Sequence, residues 1–415
     1  MDLRKSPSSF SKIVTHLLLL YPILNTYAWP GSIGVGREVL MALVVIFIIR
    51  LLKKGQRPTK LAPKEFNVYC YYWLASAILS VIYIGISVIG ALPGILYSFL
   101  FMLLFFNEID FEYLIRWYKL YAIVFVPFFF IQEIMYFSTG IRISGLIPGI
   151  PLTVDSEGGS VSYMEQVIYG TRSSSVFSEP AHFAQWLLPL LAIELMYDKN
   201  KKTYYYAAGI VVALLLLRSG NAMLGLFVVL FSFFLFLSFE KKSKFRFTLI
   251  VAFATVFVMG STYFFNSSAG ADVLSRQDEL KISGSSVDRM GQVRLYRGYY
   301  VFENFDLWDQ IVGVSDIPTL MTYIKTSKVS ALFMDNETYF NAIQSILIKT
   351  GYVGILLFFI LCINISKGNV YAGKAIIWSF VALSFVAGLF FTPSMAIYMV
   401  LAYRMKLSKT KQSYV

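Results

Sequence analysis

Apolar runs long enough to cross a bilayer recur along the chain, and the basic residues gather in short clusters between them. A helix needs about 20 largely apolar residues to span the hydrocarbon core. Only 14% of the 415 residues are charged, against about 25% in soluble domains, and a lipid-facing surface is the usual reason for losing them. The pattern predicts an all-α polytopic membrane protein, with residues 1–415 forming one integral membrane domain.

Spans are predicted at about 13–29, 37–52, 67–89, 92–106, 120–138, 182–197, 203–217, 220–238, 247–265 and 340–364. A last hairpin, 375–403 with its turn near Thr392-Pro393, brings the total to about 12 transmembrane helices. The segment Asn107 to Lys119 is mixed in character, since it carries Glu108, Asp110, Glu112, Arg116 and Lys119. Arg4, Lys5 and Lys12 precede the first span, and Lys53, Lys54, Arg57, Lys60 and Lys64 follow the second. Later clusters are Lys199 to Lys202, Lys241 to Arg246, Lys367 with Lys374, and Arg404 to Lys411. Lysine and arginine mark cytoplasmic flanks, so both termini lie inside. Two large external loops result, about 140–181 and 266–338, and within the second Val287 to Phe302 reads as a helix.

The net charge of +12 is thus a topology signal, and no nucleic-acid partner is expected. Cys70 and Cys362 sit inside apolar runs, which supports neither a disulfide nor a metal site, and no metal-ligand spacing occurs elsewhere. Tyr27-Ala28-Trp29-Pro30, after the first span, fits an interfacial anchor better than a processed signal peptide.

The residues able to carry chemistry concentrate at the external face. Arg172, Arg218, Arg289, Arg294 and Arg297 all map there, against the charge rule. Guanidinium groups bind phosphate oxygens in bidentate fashion; each arginine otherwise pairs with a nearby acid such as Asp155, Glu157, Asp278, Glu279, Asp288 or Glu303. Arg218, between apolar helices, is the strongest functional candidate, because intramembrane charges are costly. Glu179 precedes Pro180 at the start of the sixth span, either capping that helix or facing a substrate. His182 lies just inside the same span. Glu337, in Asp335-Asn336-Glu337-Thr338-Tyr339, stands where the second loop re-enters the membrane, as an N-capping group or as a base for an acceptor hydroxyl.

Several of these segments carry a resemblance. Arg172 to Pro180 resembles the arginine-x-x-glycine-x-phenylalanine-x-glutamate-proline signature of bacterial O-antigen and capsular polysaccharide repeat-unit polymerases, with Ser175 where glycine is common. Arg218-Ser219 is similar to the arginine-bearing turn of that group and of the related O-antigen ligases. Arg294 with Gly313-Val314-Ser315 resembles their arginine helix followed by glycine-valine-glycine. Asn336 to Tyr339, then Gly351-Tyr352-Val353-Gly354, resembles their re-entry into a late span.

The resemblance implies a polyprenol-dependent membrane glycosyltransferase working without metal or cofactor on the external side of a bacterial inner (cytoplasmic) membrane. It would move a growing glycan from undecaprenyl pyrophosphate onto the terminal sugar of an incoming lipid-linked unit. Arg172, Arg218 and Arg294 would hold the pyrophosphate, with Arg289 and Arg297 as second choices. Glu179 or Glu337 would orient or deprotonate the acceptor, with His182 behind them. Implied partners are undecaprenyl-pyrophosphate-linked glycans, membrane lipids and a chain-length regulator protein.

Two alternatives stand beside this. An O-antigen ligase usually carries a histidine in the second large loop, and this chain has none between 266 and 340. A flippase or transporter of lipid-linked sugars would place its charges near the bilayer middle, often in related halves, whereas here they concentrate in two external loops.

Overall fold

The computed structural model describes residues 7–29, 34–55, 62–84, 86–141, 143–152, 173–197, 201–240, 255, 295–330 and 340–412. Helix dominates them, and the β pairing among them is an isolated antiparallel bridge between Tyr27 and Leu152. The first helices are α1 (Ser9–Leu24), α2 (Val35–Lys54), α3 (Lys64–Ile84), α4 (Leu92–Glu108) and α5 (Phe111–Thr139). Next come α6 (Pro180–Met196), α7 (Lys201–Leu216) and α8 (Gly220–Glu240). Three short helices, α9 (Arg297–Glu303), α10 (Leu307–Val312) and α11 (Ile317–Thr326), precede α12 (Ala342–Ser366), α13 (Tyr371–Ser384) and α14 (Pro393–Gln412).

Helices occupy the segments expected for spans one to eight, ten and the final hairpin. Among the described residues, Ile89–Glu108, Phe111–Thr139, Gly220–Leu237 and Ala342–Ser366 are long and apolar enough to cross a membrane, by length and composition. Ser9–Leu24, Tyr204–Leu216 and Tyr371–Ser384 are shorter apolar helices. The expected ninth span lies outside the described residues, apart from residue 255.

Three local expectations change. The mixed segment after Asn107 is continuous with the fifth span, because Asp110 caps a single helix: its Oδ1 accepts the Tyr113 N–H at 2.9 Å, as a carboxylate before a first turn does. In the last hairpin the turn is longer than expected: it runs over residues 385–392, ends at Thr392, and Pro393 opens α14. A proline at a first turn loses no hydrogen bond. Of the helix expected over 287–302, residues 287–294 lie outside the described set, and the described helix runs Arg297–Glu303.

α6 is the axis of the bundle. It packs against α5, α7, α8, α13 and α14, and every residue from Phe183 to Met196 is buried; a helix apolar on nearly every face belongs in an interior, and its buried Glu194 is paired with Lys119 of α5 at 3.0 Å. Pro189 sits within it and brings no N–H to the preceding turn. The carbonyl of Gln185 therefore takes its hydrogen bond from the Tyr398 hydroxyl of α14, at 2.8 Å, and the Trp186 carbonyl accepts the Tyr118 hydroxyl of α5. Away from water each freed backbone group needs such a partner. On α8, Gly225 lets the two helices close up: a Cβ there would lie 2.1 Å from Cδ1 of Leu188. Small residues permit this approach where lipid removes the hydrophobic drive between helices.

Candidate functional site

A cavity of about 1020 Å³ opens among the helix ends that the charge pattern assigns to the external face. Its wall takes Tyr21 and Asn25 from the end of α1, Arg37 from the start of α2, Tyr97 from α4, and Glu179, His182 and Gln185 from α6. Lys349 comes from α12, Trp73 from α3, and residues of 314–320, Phe340 and the turn before α14 add to it. Both sequence segments predicted to lie outside therefore reach one cavity, the first through Ser178 and Glu179, the second through Val314 to Leu320.

The first segment is fixed by Gln132 of α5, which is buried. Its amide Oε1 accepts the Ser175 N–H at 2.8 Å, and its Nε2 donates to the carbonyls of Ser175 at 3.0 Å and Ile143 at 2.9 Å. Ser175, standing where the resembled signature has glycine, has φ 57°, a left-handed conformation that costs a non-glycine residue roughly 1–2 kcal/mol. Its hydroxyl donates to the Phe125 carbonyl at 2.8 Å, and these bonds offset that cost. Gly145 explains the closeness of the layer, since a Cβ there would lie 1.7 Å from the Ser175 oxygen. The chain then extends through Glu179 and enters α6 at Pro180. The Glu179 side chain makes no cap bond; its backbone carbonyl accepts the N–H groups of His182 and Phe183. Ser178 and the His182 Nδ1 lie 3.1 Å apart and share a hydrogen bond.

The second segment is fixed by a break in α12. Gly351 has φ 63° and ψ −166° inside the helix, a conformation essentially confined to glycine. The break frees carbonyls in the turn before it, and the segment after α10 and a tyrosine of α3 take them up. Val314 N–H donates to Ile348 O at 2.6 Å, the Ser315 hydroxyl to Lys349 O at 3.2 Å, and the Tyr72 hydroxyl to Thr350 O at 3.1 Å. Trp73 Nε1 of α3 donates to the Ser315 oxygen at 3.2 Å. A Cβ on Gly351 would lie 2.2 Å from Ile311 O, and one on Gly313 would lie 2.3 Å from Thr350 N. The glycine motifs at 313 and 351 are therefore two sides of one contact.

Charge is concentrated on the cavity wall. Arg37, Lys349, Glu179 and Asp316 line it together with His182, and Lys349 Nζ stands 5.9 Å from the ring centre of Phe390. Among the described residues no ion pair joins these side chains to one another. Two cations and two carboxylates share one chamber with aromatic faces from Trp73, Phe101 and Phe391, a composition suited to an anionic group joined to a polyhydroxylated one. Among the described residues no group of three or more His, Cys, Asp or Glu could hold a metal ion.

Of the residues singled out in the sequence, Glu179 and His182 line the cavity. Arg218 sits between α7 and α8 with φ 49°, and it does not line the cavity. Arg297 is fully buried at the start of α9, its guanidinium 5.7 Å from the ring centre of Phe340; Phe340 lines the cavity and Arg297 does not. Arg172, Arg289, Arg294 and Glu337 lie outside the described residues. The re-entry into α12 is instead capped by Asn341, whose side chain accepts Gln344 N–H at 2.9 Å while the Gln344 side chain returns to the Asn341 N–H, a capping box.

Sequence reading passed over Arg37, Lys349 and Asp316. Arg37 opens the second predicted span at the end that the charge pattern assigns to the outside, breaking the charge rule as Arg218 does, and Lys349 is a cation within the tenth predicted span; the sequence carries both signals. Asp316 before Ile317-Pro318 reads as an ordinary helix start, and only its place on the wall sets it apart. In comparison with known proteins, no family model matches the chain and no curated protein matches its sequence.

Proposed function

We propose that this chain is a polymerase of lipid-linked oligosaccharide repeat units in a bacterial cytoplasmic membrane, crossing it about twelve times. It transfers the growing glycan from undecaprenyl pyrophosphate to the terminal sugar of an incoming lipid-linked unit at the external face. The observation that carries this reading is the single cavity to which both predicted external segments contribute, with Arg37 and Lys349 on the same wall as Glu179, His182 and Asp316.

The chemistry follows from the charges. As the anomeric bond breaks, negative charge grows on the diphosphate oxygens, and cations already in place stabilise it; such preorganised electrostatics are commonly the largest contribution to catalysis. Arg37 and Lys349 supply that positive charge from the wall. Arg172, Arg289 and Arg294 keep the diphosphate role that the resemblance implies; Arg218, which stands off this wall, keeps it by the resemblance alone, and Arg297, fully buried, is assigned to holding α9 in place. Glu179, extended and free of cap bonding, orients or deprotonates the acceptor, with His182 one turn behind it. Prenyl tails lie in the grooves between helices, and a chain-length regulator docks from the membrane.

A cell lacking the gene tests the assignment. Single repeats still attached to their surface carrier, with long chains lost, support a polymerase; complete loss of attached glycan indicates a ligase. Arg172→Ala or Arg218→Ala should abolish the long chains while the protein stays in the membrane, and normal ladders from both would exclude these assignments.

A further inference from the structure

Asp316 is built into the cavity wall with half of its carboxylate uncommitted. It is the N-cap of α11, and its Oδ2 accepts the Thr319 N–H at 2.9 Å. Its side chain is 3% exposed, and Oδ1 has no hydrogen-bond partner among the described residues. A carboxylate oxygen is an acceptor with no proton of its own, and leaving such an atom buried and unpaired is unfavourable. The residue cannot turn away to relieve this, because Oδ2 is tied to α11. The backbone on its N-terminal side is also pinned, through Val314 to Ile348 and through Ser315 to both Lys349 and Trp73. The acceptor is thus preorganised, and nothing described in the protein supplies its donor.

We propose that Oδ1 of Asp316 receives a hydroxyl of the saccharide that enters this cavity, making Asp316 a binding residue for the acceptor sugar. This rests on the glycan reading of the cavity and deepens it by naming the subsite. Trp73, Phe101 and Phe391 line the same chamber, and apolar rings beside a fixed carboxylate are the surroundings that a sugar, with C–H faces and O–H edges, fits. A diphosphate is repelled from this position by the carboxylate and goes to Arg37 and Lys349.

Asp316→Asn separates the subsite from folding. Asparagine is as good an N-cap as aspartate, so its oxygen stays on Thr319 N–H and its NH₂ takes the place of Oδ1, turning the acceptor into a donor. The purified full chain in detergent is titrated with methyl α-glucoside, methyl α-galactoside and N-acetylglucosamine, following tryptophan fluorescence, with Trp73→Phe to identify the reporter. At least one sugar should give a saturable change that Trp73→Phe removes. Asp316→Asn, with its melting temperature preserved, should weaken it roughly tenfold or more, the loss of one hydrogen bond to a charged group. Equal binding by wild type and Asp316→Asn, or no saturable change with any of the three sugars, overturns the proposal. In an elongation assay, an unchanged KM for the acceptor in Asp316→Asn also overturns it while leaving the polymerase reading intact. Sugar binding that depends on Asp316 in a protein that does not elongate supports the subsite and removes the polymerase reading.

Discussion

Replacing Gly351 by alanine tests how the cavity is held together. The residue adopts φ 63° and ψ −166° in the middle of α12, and a side chain there costs about 1–3 kcal/mol in backbone strain alone. The added Cβ would also meet Ile311 O at 2.2 Å and Ile311 C at 2.4 Å, both backbone atoms, so the segment after α10 must move. Moving it breaks the bonds from Val314 and Ser315 to the freed carbonyls of α12 and the bond from the Tyr72 hydroxyl of α3 to Ile311 O, each contributing about 1 kcal/mol. The combined loss is ~4–6 kcal/mol, which at roughly 2–4 °C per kcal/mol lowers the apparent melting temperature by on the order of 10 °C. The assay is a thermal unfolding curve in detergent, with Gly209→Ala as control, where a Cβ meets nothing within 4 Å. A Gly351→Ala protein that melts with the wild type would refute the idea that the break in α12 anchors the segment.

Other substitutions probe separate links. Tyr398→Phe leaves the Gln185 carbonyl without its donor and should cost about 1–3 kcal/mol; a melting curve equal to the wild type would mean another group satisfies that carbonyl. Gln132→Leu removes the bonds that hold Ser175 and Ile143, so Glu179 loses its support, and proteolysis between 140 and 180 should accelerate while α5 stays helical; unchanged cleavage would show that the segment is held by other contacts. Burial raises the Asp309 pKa above its ordinary value, the Tyr323 hydroxyl opposing and Asp306 and Asp316 adding to the rise. The folded state therefore binds this proton more tightly than the unfolded chain, and stability falls as pH climbs from about 4 through the raised folded value. Asp309→Asn, which keeps an acceptor for Tyr323, should flatten that fall in a melting-temperature series, and an unaltered pH profile would contradict the assignment.

What could be read from the sequence follows from the range of the interactions involved. Apolar runs and basic flanks are local, so α1 to α8 and α12 to α14 fall where hydropathy places them. Asp110 was visible as a charge that weakened a span, but its effect is the reverse, because a carboxylate one residue before a first turn starts a helix. Glu179 and His182 stand out in the sequence because a proline-led helix start is also local, and the fold puts both on the cavity wall. Arg37 and Lys349 reach the cavity only through the packing of α2 and α12 around α1, α3 and α4, and no sequence spacing encodes that. The pairing of Gly313 with Gly351 is likewise tertiary: each glycine was noticed, yet only the fold shows that one accommodates the other. Ser175 shows a substitution made acceptable at a distance, its left-handed turn supported by Gln132, 43 residues earlier.

The central claim is that this cavity joins lipid-linked repeats, and elongation by the purified protein addresses it most directly. Given a synthetic undecaprenyl-pyrophosphate-linked repeat unit in detergent, the wild type should build a ladder of two and more repeats. Glu179→Gln and Lys349→Met, folded as judged by melting, should leave the single unit unextended. No ladder from the wild type, or full ladders from both variants, would contradict the account.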